Sequence, residues 1–338
     1  MGDRLPFPPG CVALVTGATG FTGSVLVKKL CACGIRVRAI ARASSKREAL
    51  QGLPIEWIEG NVYDPETIER AVAGVDFIFH VAAAYREAGI SDETYRKVHL
   101  DSTQLLARAA LKNPAFKRFV HVSTVGVHGH IEHPPADETY PFSPGDVYQQ
   151  TKAEAELWLR DFAPQHGLPF TVIRPAAIYG PGDRRLLKIF KMATWPVFPV
   201  LGRAHGQLYH LIHVEDLADI FIQAALHPKA QGEVFIGGDP GALALAEIVN
   251  IINAEYGRKA RLLRIPAWPF FWLAAVCETL CRPFGIDPPL YKRRVAFFTK
   301  DRSFDTTKLR TLLNFQYGRT TEQGLRETAR WYRDKGWA

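Results

Sequence analysis

The segment Val15-Thr-Gly-Ala-Thr-Gly-Phe-Thr-Gly23 is the strongest indication of fold in this 338-residue sequence. An apolar run at residues 11–15 leads into it and is typical of a buried strand. Apolar residues at helical spacing follow over residues 21–33. A glycine-rich segment between a strand and a helix is the context in which a phosphate-binding turn forms.

Three glycines of this segment have distinct expected roles. Gly17 permits a tight turn, Gly20 lets the backbone approach a pyrophosphate, and Gly23 allows close packing of helix on sheet. The free N–H groups and the dipole of the following helix favour phosphate charge. We therefore predict a dinucleotide site made by these glycines and by their neighbours Thr19, Phe21 and Thr22.

The first half of the chain alternates short apolar runs with helical patterns. Further strands are predicted at residues 36–41, 55–59, 77–80, 118–122 and 170–174, and helices at residues 65–73, 93–111 and 147–165. Such alternation predicts an α/β fold, a Rossmann-type doubly wound parallel sheet with helices on both faces.

The alternation breaks after residue 180, and helical patterns dominate from residue 244. A strand and a helix return at about residues 208–238. We therefore predict a dinucleotide-binding domain at residues 1–180, completed by the returning elements. Residues 181–207 and 239–338 are predicted to form a smaller, mostly helical substrate lobe.

Charge and cysteine content narrow the functional classes. The net charge is +8, but Lys and Arg are spread along the chain and no nucleic-acid-binding motif is present, so we expect no nucleic-acid partner. A positive field also suits an anionic cofactor or substrate. The five cysteines have neither disulfide-framework nor zinc-site spacing, so we predict no metal site.

The N-terminus lacks an apolar leader, and the most apolar stretch, residues 265–276, is too short to span a bilayer. We expect a cytoplasmic protein without a transmembrane segment. The apolar stretch is compatible with helix core, with a wall of an apolar ligand site, or with peripheral contact to a membrane. Basic residues flank it at Arg258, Lys259, Arg261, Arg264 and Lys292.

The end of the second predicted strand bears on the choice of dinucleotide. An acidic residue there would bind the ribose hydroxyls of NAD. Ala41 holds that place, Arg42 follows it, and Lys46 is close by. Because arginine accommodates a 2′-phosphate, this pattern favours NADP, with NAD as the alternative. If Arg42 does not bind the dinucleotide, it is a solvated charge in a loop.

Tyr148 and Lys152 lie four residues apart at the start of a predicted helix, so both occupy one face. An ammonium near a phenol favours the phenolate and lowers its pKa. A phenol so tuned can exchange a proton with a substrate oxygen while hydride moves at a nicotinamide. The strand segment at residues 119–124 ends in hydroxyl side chains that can bind the same oxygen.

These motifs together resemble the extended short-chain dehydrogenase/reductase family. The resemblance is carried by TGATGFTG (16–23), HVAAA (80–84), VSTVGVHG (122–129), YQQTK (148–152) and RPAAIYGPGD (174–183). It extends to about residue 238 and continues more loosely through residues 304–308 and 324–333.

The resemblance implies roles for individual residues. Tyr148 would be the general acid/base, Lys152 would bind the nicotinamide ribose and tune Tyr148, and Thr124 would be the hydroxyl partner, with Ser123 as the fallback. His99 stands at a place often held by Asn. The resemblance also implies a homodimer formed through helices 93–111 and 147–165. Further cofactor contacts would come from Asn61, Val62, Ala82, Ala83, Pro175 and Ile178.

Three functions are compatible with this sequence. The first is a dehydrogenase or reductase of an apolar alcohol or ketone, as in the 3β-hydroxysteroid and sterol dehydrogenase branch. The second is a nucleotide-sugar epimerase or reductase, and the third is a non-enzymatic dinucleotide-binding regulator. The reactive residues disfavour the regulator. A sugar dehydratase is disfavoured because Val125 and Gly126 follow Thr124, where that branch tends to carry Asp-Glu.

The residues expected to bind the diphosphate of a nucleotide-sugar substrate distinguish the first two functions. Nucleotide-sugar enzymes of this family usually clamp the diphosphate with an Arg where this chain has Tyr209. Arg184, Arg185 and Arg203 are alternative phosphate ligands. Aromatic residues suit an apolar small-molecule substrate, and the predicted lobe offers Trp268, Phe270, Phe271, Trp272, Phe297 and Phe298.

Overall fold

The computed structural model describes residues 5–84, 90–202, 206–281, 288, 290, 295 and 299–338. Its strands are β1 (Val12–Thr16), β2 (Arg36–Ala41), β3 (Ile55–Glu59), β4 (Phe77–His80), β5 (Arg118–Val122), β6 (Phe170–Pro175), β7 (Ala177–Tyr179), β8 (Phe198–Leu201), β9 (Leu208–Tyr209), β10 (Leu211–His213), β11 (Val234–Gly237), β12 (Leu243–Ala244) and β13 (Leu262–Ile265).

The helices are α1 (Phe21–Ala32), α2 (Pro65–Val72), α3 (Asp92–Arg96), α4 (Ser102–Ala110), α5 (Val147–His166), α6 (Leu187–Ala193), α7 (Val214–Leu226), α8 (Leu245–Glu255) and α9 (Trp268–Cys281), followed by the helices Thr307–Leu313 and Thr321–Asp334. None of the helices in the described ranges combines the length and the apolar character needed to span a bilayer.

A seven-stranded sheet forms the centre of the fold. Its order is β3-β2-β1-β4-β5-β6-β11, and every neighbouring pair is parallel. Alternate residues of β1 enter two different cores: Ala13 and Val15 pack on one face, and Val12 and Leu14 pack on the other. Buried residues of α1 and α7 join the first core, and those of α2, α4 and α5 join the second. The predicted Rossmann-type parallel sheet is confirmed.

A third hydrophobic core lies outside the sheet. It combines residues of α6, β8 and α8 with the C-terminal helix Thr321–Asp334. One strand is predicted at residues 209–212, but the structure has two strands there with different partners. β9 pairs antiparallel with β12 and β10 pairs parallel with β7, so the chain changes partner at His210.

The predicted helix at residues 93–111 is interrupted. A π-helical turn, Lys97–Asp101, separates α3 from α4. Such turns inside helices are frequent at functional sites. This turn contains His99, which is buried.

Candidate active site

The glycine turn between β1 and α1 is closely packed against the segment after β4. Gly17 has a φ of +69°, and a Cβ placed on it would lie 2.8 Å from the backbone N and Cα of Ala82. Both the conformation and the space therefore require glycine at this position. Gly17 and Ala82 come from the carboxyl ends of neighbouring strands, where open α/β sheets bind their ligands.

The start of α1 provides backbone donors for an anion. The helix begins at Phe21, its N-cap residue is Gly20, and no side chain caps it. A Cβ on Gly23 would overlap the carbonyl oxygen of Gly17, so the helix approaches the turn closely. No acidic residue lies in the first turn. We call residues 17–23, which form the glycine turn and the start of α1, the glycine cradle. Its geometry fits the pyrophosphate of a dinucleotide.

A hydrogen-bond chain holds the turn against the segment after β4. Thr16 Oγ1 accepts from the Ala82 N–H at 3.1 Å and lies 2.8 Å from His80 Nδ1. Ser102 Oγ donates to the Val98 carbonyl at 2.6 Å, so it accepts from His80 Nε2 at 3.0 Å. Burial lowers the pKa of His80 to about 3, so the neutral ring required by this chain is the stable form.

His99 connects the cofactor side of the fold to the helix that carries Tyr148. Its Nε2 accepts from the Ala84 N–H at 3.1 Å, and its Nδ1 lies 2.8 Å from Thr151 Oγ1. Because the Thr151 hydroxyl donates to Val147, His99 Nδ1 carries the proton. Burial lowers the pKa of His99 to about 2, so the ring stays neutral.

Tyr148 lies in the first turn of α5, half-buried. The N-cap residue Asp146 fixes this turn by accepting from the Gln149 N–H at 2.9 Å. The Tyr148 ring packs edge-on against His99, with ring centroids 5.3 Å apart, and against Tyr95 at 6.5 Å. The π-helical turn and α3 thus hold one side of the phenol ring.

Lys152 lies one helical turn after Tyr148 and is buried. Its Nζ donates to the carbonyl of Val122 at 2.9 Å, at the end of β5. Burial lowers the pKa of Lys152 to about 8. The ammonium has further N–H bonds, so it can also bind a ribose hydroxyl and stabilise a nearby phenolate.

The two candidate hydroxyls have different surroundings. Thr124 is half-buried, and its Oγ1 accepts from the Gly126 N–H at 3.0 Å. A Cβ on Gly126 would lie 3.2 Å from Thr124 Oγ1 and 3.4 Å from the side chain of Gln149, so Thr124 lies close to the first turn of α5. Ser123 instead donates to Glu156 at 2.6 Å and is buried. Thr124 is therefore the better candidate.

A buried ion pair behind Ser123 was missed by the sequence analysis. The side chains of Arg174 and Glu156 are both fully buried and form a bidentate pair. Arg174 also contacts His128 Nε2 at 3.1 Å and packs on the Phe142 ring at 4.8 Å. This cluster fixes β6, α5 and the chain after β5 to one another. An Arg and a Glu 18 residues apart give no periodic signal that they will pair.

Residues expected around the adenosine lie at the ends of β2 and β3. Arg42 and Lys46 are exposed, and no described residue forms an ion pair with either side chain. Arg47 differs, because its guanidinium lies 4.9 Å from the Trp57 ring centroid. The remaining predicted contacts lie near the carboxyl edge of the sheet and are Asn61, Val62, Ala82, Ala83, Pro175 and Ile178.

His121 on β5 is fully buried, and neither of its ring nitrogens has a hydrogen-bond partner. Its ring neighbours those of Phe119 and His80, with centroids 6.5 and 5.6 Å away. Burial holds its pKa well below the ordinary value, so the folded protein keeps it neutral. An unpaired buried polar group costs about 1–3 kcal/mol.

We predict that His121→Leu raises the free energy of unfolding by about 1–2 kcal/mol at pH 7.5, because it removes these unpaired nitrogens. The gain should increase below pH 6.5, where His121 takes up a proton in the unfolded wild-type chain but stays neutral when folded, which costs stability as pH falls. Urea unfolding at pH 7.5 and pH 5.5 measures both effects. The exposed His133→Leu is the control. Destabilisation by His121→Leu at both pH values would contradict the prediction.

Among the described residues, no three His, Cys, Asp or Glu side chains are grouped to hold a metal ion. The fold and the glycine cradle define a Rossmann-type enzyme that works with a nicotinamide dinucleotide. The chain belongs to the NAD dependent epimerase/dehydratase family, whose model matches residues 13–237, and thus to the extended short-chain dehydrogenases/reductases.

Similar proteins include enzymes of different activities. The chain is 30% identical to the 3 beta-hydroxysteroid dehydrogenase/Delta 5-->4-isomerase of Mycobacterium tuberculosis, over 94% of this chain and 90% of that protein. It is 29% identical to the dTDP-glucose 4,6-dehydratase of Streptomyces niveus, with 95% and 92% covered. The crystal structure of gox2253 superposes with a TM-score of 0.83 at 28% identity and covers 96% of this chain and 99% of that chain.

Proposed function

We propose that this protein interconverts a secondary alcohol and a ketone on an apolar, 3β-hydroxysteroid- or sterol-like substrate. The observation that carries the proposal is the placement of Tyr148 and Lys152 on α5. Lys152 is anchored on the end of β5, and Thr124 lies close to the first turn of α5. The glycine cradle opens at the same carboxyl edge of the sheet.

In this mechanism, Tyr148 passes a proton to or from the substrate oxygen. Thr124 donates a hydrogen bond to the same oxygen and orients it. Lys152 stabilises the phenolate form of Tyr148 by its charge and holds the ribose. The nicotinamide, when bound, supplies or accepts the hydride. His99 keeps α5 in place relative to the loop after β4 through its bonds to Thr151 and Ala84.

Several features support an apolar substrate over a nucleotide sugar. Tyr209 stands where nucleotide-sugar enzymes of this family usually carry an Arg, and it is half-buried. Arg184 packs on the Trp337 ring at 5.0 Å, and Arg185 pairs with Asp183 at 3.1 Å. Both guanidinium groups therefore already have protein partners. Arg203, Phe297 and Phe298 lie outside the described residues.

A panel of steroids, small ketones and nucleotide sugars, assayed with NADH and NADPH, tests the proposal. We expect oxidation or reduction of a steroid-like substrate with stoichiometric change of the dinucleotide. Turnover of a nucleotide sugar without net consumption of dinucleotide would identify an epimerase and refute the proposed substrate class. Failure of every substrate despite tight dinucleotide binding would favour the regulator.

We also propose that NADP is the preferred dinucleotide and that NAD is the weaker alternative. Arg42 and Lys46 support this because both are exposed cations after the end of β2, where the adenine ribose is expected. We predict that Arg42→Ala weakens NADPH binding about 10- to 100-fold and leaves NADH binding nearly unchanged, because a charge-assisted bond to the 2′-phosphate is lost.

Isothermal titration of both dinucleotides measures this effect. Arg36→Ala is the matched control, because Arg36 lies at the opposite end of the same strand and donates to the Gly10 carbonyl. An unchanged NADPH affinity in the Arg42 variant would refute the 2′-phosphate contact.

We further propose that the protein is a homodimer in the cytoplasm. The proposal also includes a peripheral membrane contact, since a sterol-like substrate dissolves in lipid. Leu157 on α5 supports the dimer because 51% of it is exposed on a helix that the family uses for dimerisation. All five cysteines are free thiols, as is usual in a reducing compartment. Sedimentation equilibrium at the monomer mass of 37.8 kDa would contradict the dimer.

A further inference from the structure

Helix α9 exposes an unusually apolar surface. Trp268 is 73% exposed, Trp272 64% and Leu280 64%, while Ala274 is the one fully buried residue of this helix, all of which is described. Val276 continues the spacing between Trp272 and Leu280. At 100° per residue, these four side chains occupy an arc of about 120° opposite Ala274. The tryptophans are therefore neither helix core nor part of an enclosed ligand site.

The chain leading into α9 is basic and exposed. Arg261 and Arg264 flank Leu262 and Leu263 on β13, and all four residues are exposed. Arg258 and Lys259 precede them and are exposed as well. Between residues 258 and 281 the sequence contains four basic residues and one acidic residue, Glu278. We call residues 258–281 the docking segment.

A neighbouring strand extends this surface. β8 pairs in parallel with β13, and the Phe198 N–H donates to the Arg261 carbonyl at 2.8 Å. Trp195, just before β8, is 54% exposed, and Arg258 reaches the neighbouring Thr194 carbonyl at 3.5 Å. The exposed surface of the docking segment therefore continues to Trp195.

We propose that the docking segment binds the surface of an anionic lipid bilayer, with the apolar face of α9 entering the interface and the basic residues contacting lipid phosphates. Tryptophan favours the membrane–water interface, and an apolar helix face with basic flanks is typical of an interfacial helix. With 14 residues, α9 lies on the bilayer and does not cross it.

Charge identifies the lipid as the occupant and disfavours a second copy of this chain. In a symmetric dimer formed through this segment, both copies would bring the same excess of positive charge, from Arg258, Lys259, Arg261 and Arg264, into one interface. Lipid phosphates provide the opposite charge over the whole surface. The inference assigns the peripheral membrane contact of the proposed function to the docking segment, and it is independent of the proposed reaction because the mechanism does not use these residues.

Co-sedimentation of the full chain with vesicles tests the inference. One set of vesicles is phosphatidylcholine, and the other contains an equal part of phosphatidylglycerol. We expect at least about tenfold stronger partitioning into the anionic vesicles, reduced by high salt. Trp268→Ser with Trp272→Ser, and separately Arg261→Gln with Arg264→Gln, should each weaken this binding about tenfold or more.

Matched controls are Leu5→Ser for an exposed apolar residue and Lys112→Gln for an exposed cation, both outside the docking segment. Circular dichroism and NADPH affinity without vesicles report whether each variant is folded, and they test the proposed dinucleotide site separately. The inference is overturned if the wild type does not bind anionic vesicles, if it binds neutral ones equally, or if the tryptophan variant loses only self-association.

Discussion

Replacing Tyr148 by phenylalanine is expected to lower kcat by about 10²- to 10⁴-fold, the usual contribution of a positioned general acid or base. The substitution removes one hydroxyl and keeps the ring. The phenyl group retains its edge contacts with His99 and Tyr95, at centroid distances of 5.3 and 6.5 Å. Its place in the first turn of α5 is also unchanged, because Asp146 caps that turn.

The loss should be confined to the chemical step. Lys152 keeps its bond to the Val122 carbonyl, and the glycine cradle does not involve Tyr148. Dinucleotide affinity is therefore expected to change by less than about threefold, a difference below 1 kcal/mol. Single-turnover kinetics measure the step directly, and fluorescence titration measures dinucleotide binding.

Tyr95→Phe is the matched control for this experiment. Tyr95 is buried next to Tyr148 and also carries a phenol, but it lies on α3, outside the proposed reactive group. We expect Tyr95→Phe to change kcat only slightly. Near-normal turnover in the Tyr148 variant, or an equal loss in both variants, would show that Tyr148 does not transfer the proton.

Local patterns predict the central sheet well, although its strands are buried to different degrees: β4 and β5 are buried at every position, whereas β2 begins at an exposed residue and the edge strand β3 exposes Glu56 and Glu59. The segments 36–41, 55–59, 77–80 and 118–122 are strands with the predicted bounds. A strand buried on both faces is apolar at consecutive positions and is bounded by polar turns, so its limits are visible without tertiary information. The glycine turn can also be predicted from the sequence, because its function requires a fixed spacing of residues.

Contacts between distant segments could not be predicted in this way. The Arg174–Glu156 pair joins β6 to α5, and the sequence contains no periodic sign of it. The position of His99 was recognised, but its bonds to Ala84 and Thr151 depend on the π-helical turn, which propensities do not reveal. The roles of the site residues stay predictions until the variants are measured.

The surface of α9 shows a further limit of prediction from the sequence. The sequence leaves this apolar stretch open between helix core, ligand wall and membrane contact, because a helix that is apolar over most of its circumference can be buried or can lie at an interface. The packing of the neighbouring elements decides between these possibilities. Here they cover Ala274 and leave Trp268 and Trp272 exposed.

Gly23→Ala is expected to weaken dinucleotide binding by about 100-fold or more, although it adds a single methyl group, because misplacing the pyrophosphate donors costs several charge-assisted hydrogen bonds. The added Cβ would overlap the carbonyl oxygen of Gly17, and it would lie 2.8 Å from the Gly17 carbonyl carbon and 3.0 Å from Ala18 Cα. All three are backbone atoms, so no side-chain rotation relieves the contact. Either α1 moves away from the sheet or the turn changes shape.

Displacement of the turn affects more than the glycines. Gly17 already lies against the backbone of Ala82, and Thr16 holds the Ala82 N–H through its hydroxyl. The turn therefore cannot shift towards β4, and the remaining movement separates the first-turn N–H groups of α1 from the expected phosphate position. Overpacking of this kind also costs about 1–3 kcal/mol of stability, so a lower melting temperature should accompany the loss of binding.

Gly241→Ala separates this effect from the general cost of replacing glycine. Gly241 has ordinary backbone geometry, and a Cβ on it would contact nothing within 4 Å. That variant should bind NADPH as the wild type does. Calorimetric titration at a temperature where circular dichroism shows Gly23→Ala to be folded measures the loss of affinity without interference from unfolding. If the folded Gly23→Ala protein bound NADPH normally, the phosphate would lie elsewhere, and the site assigned to the turn would be wrong.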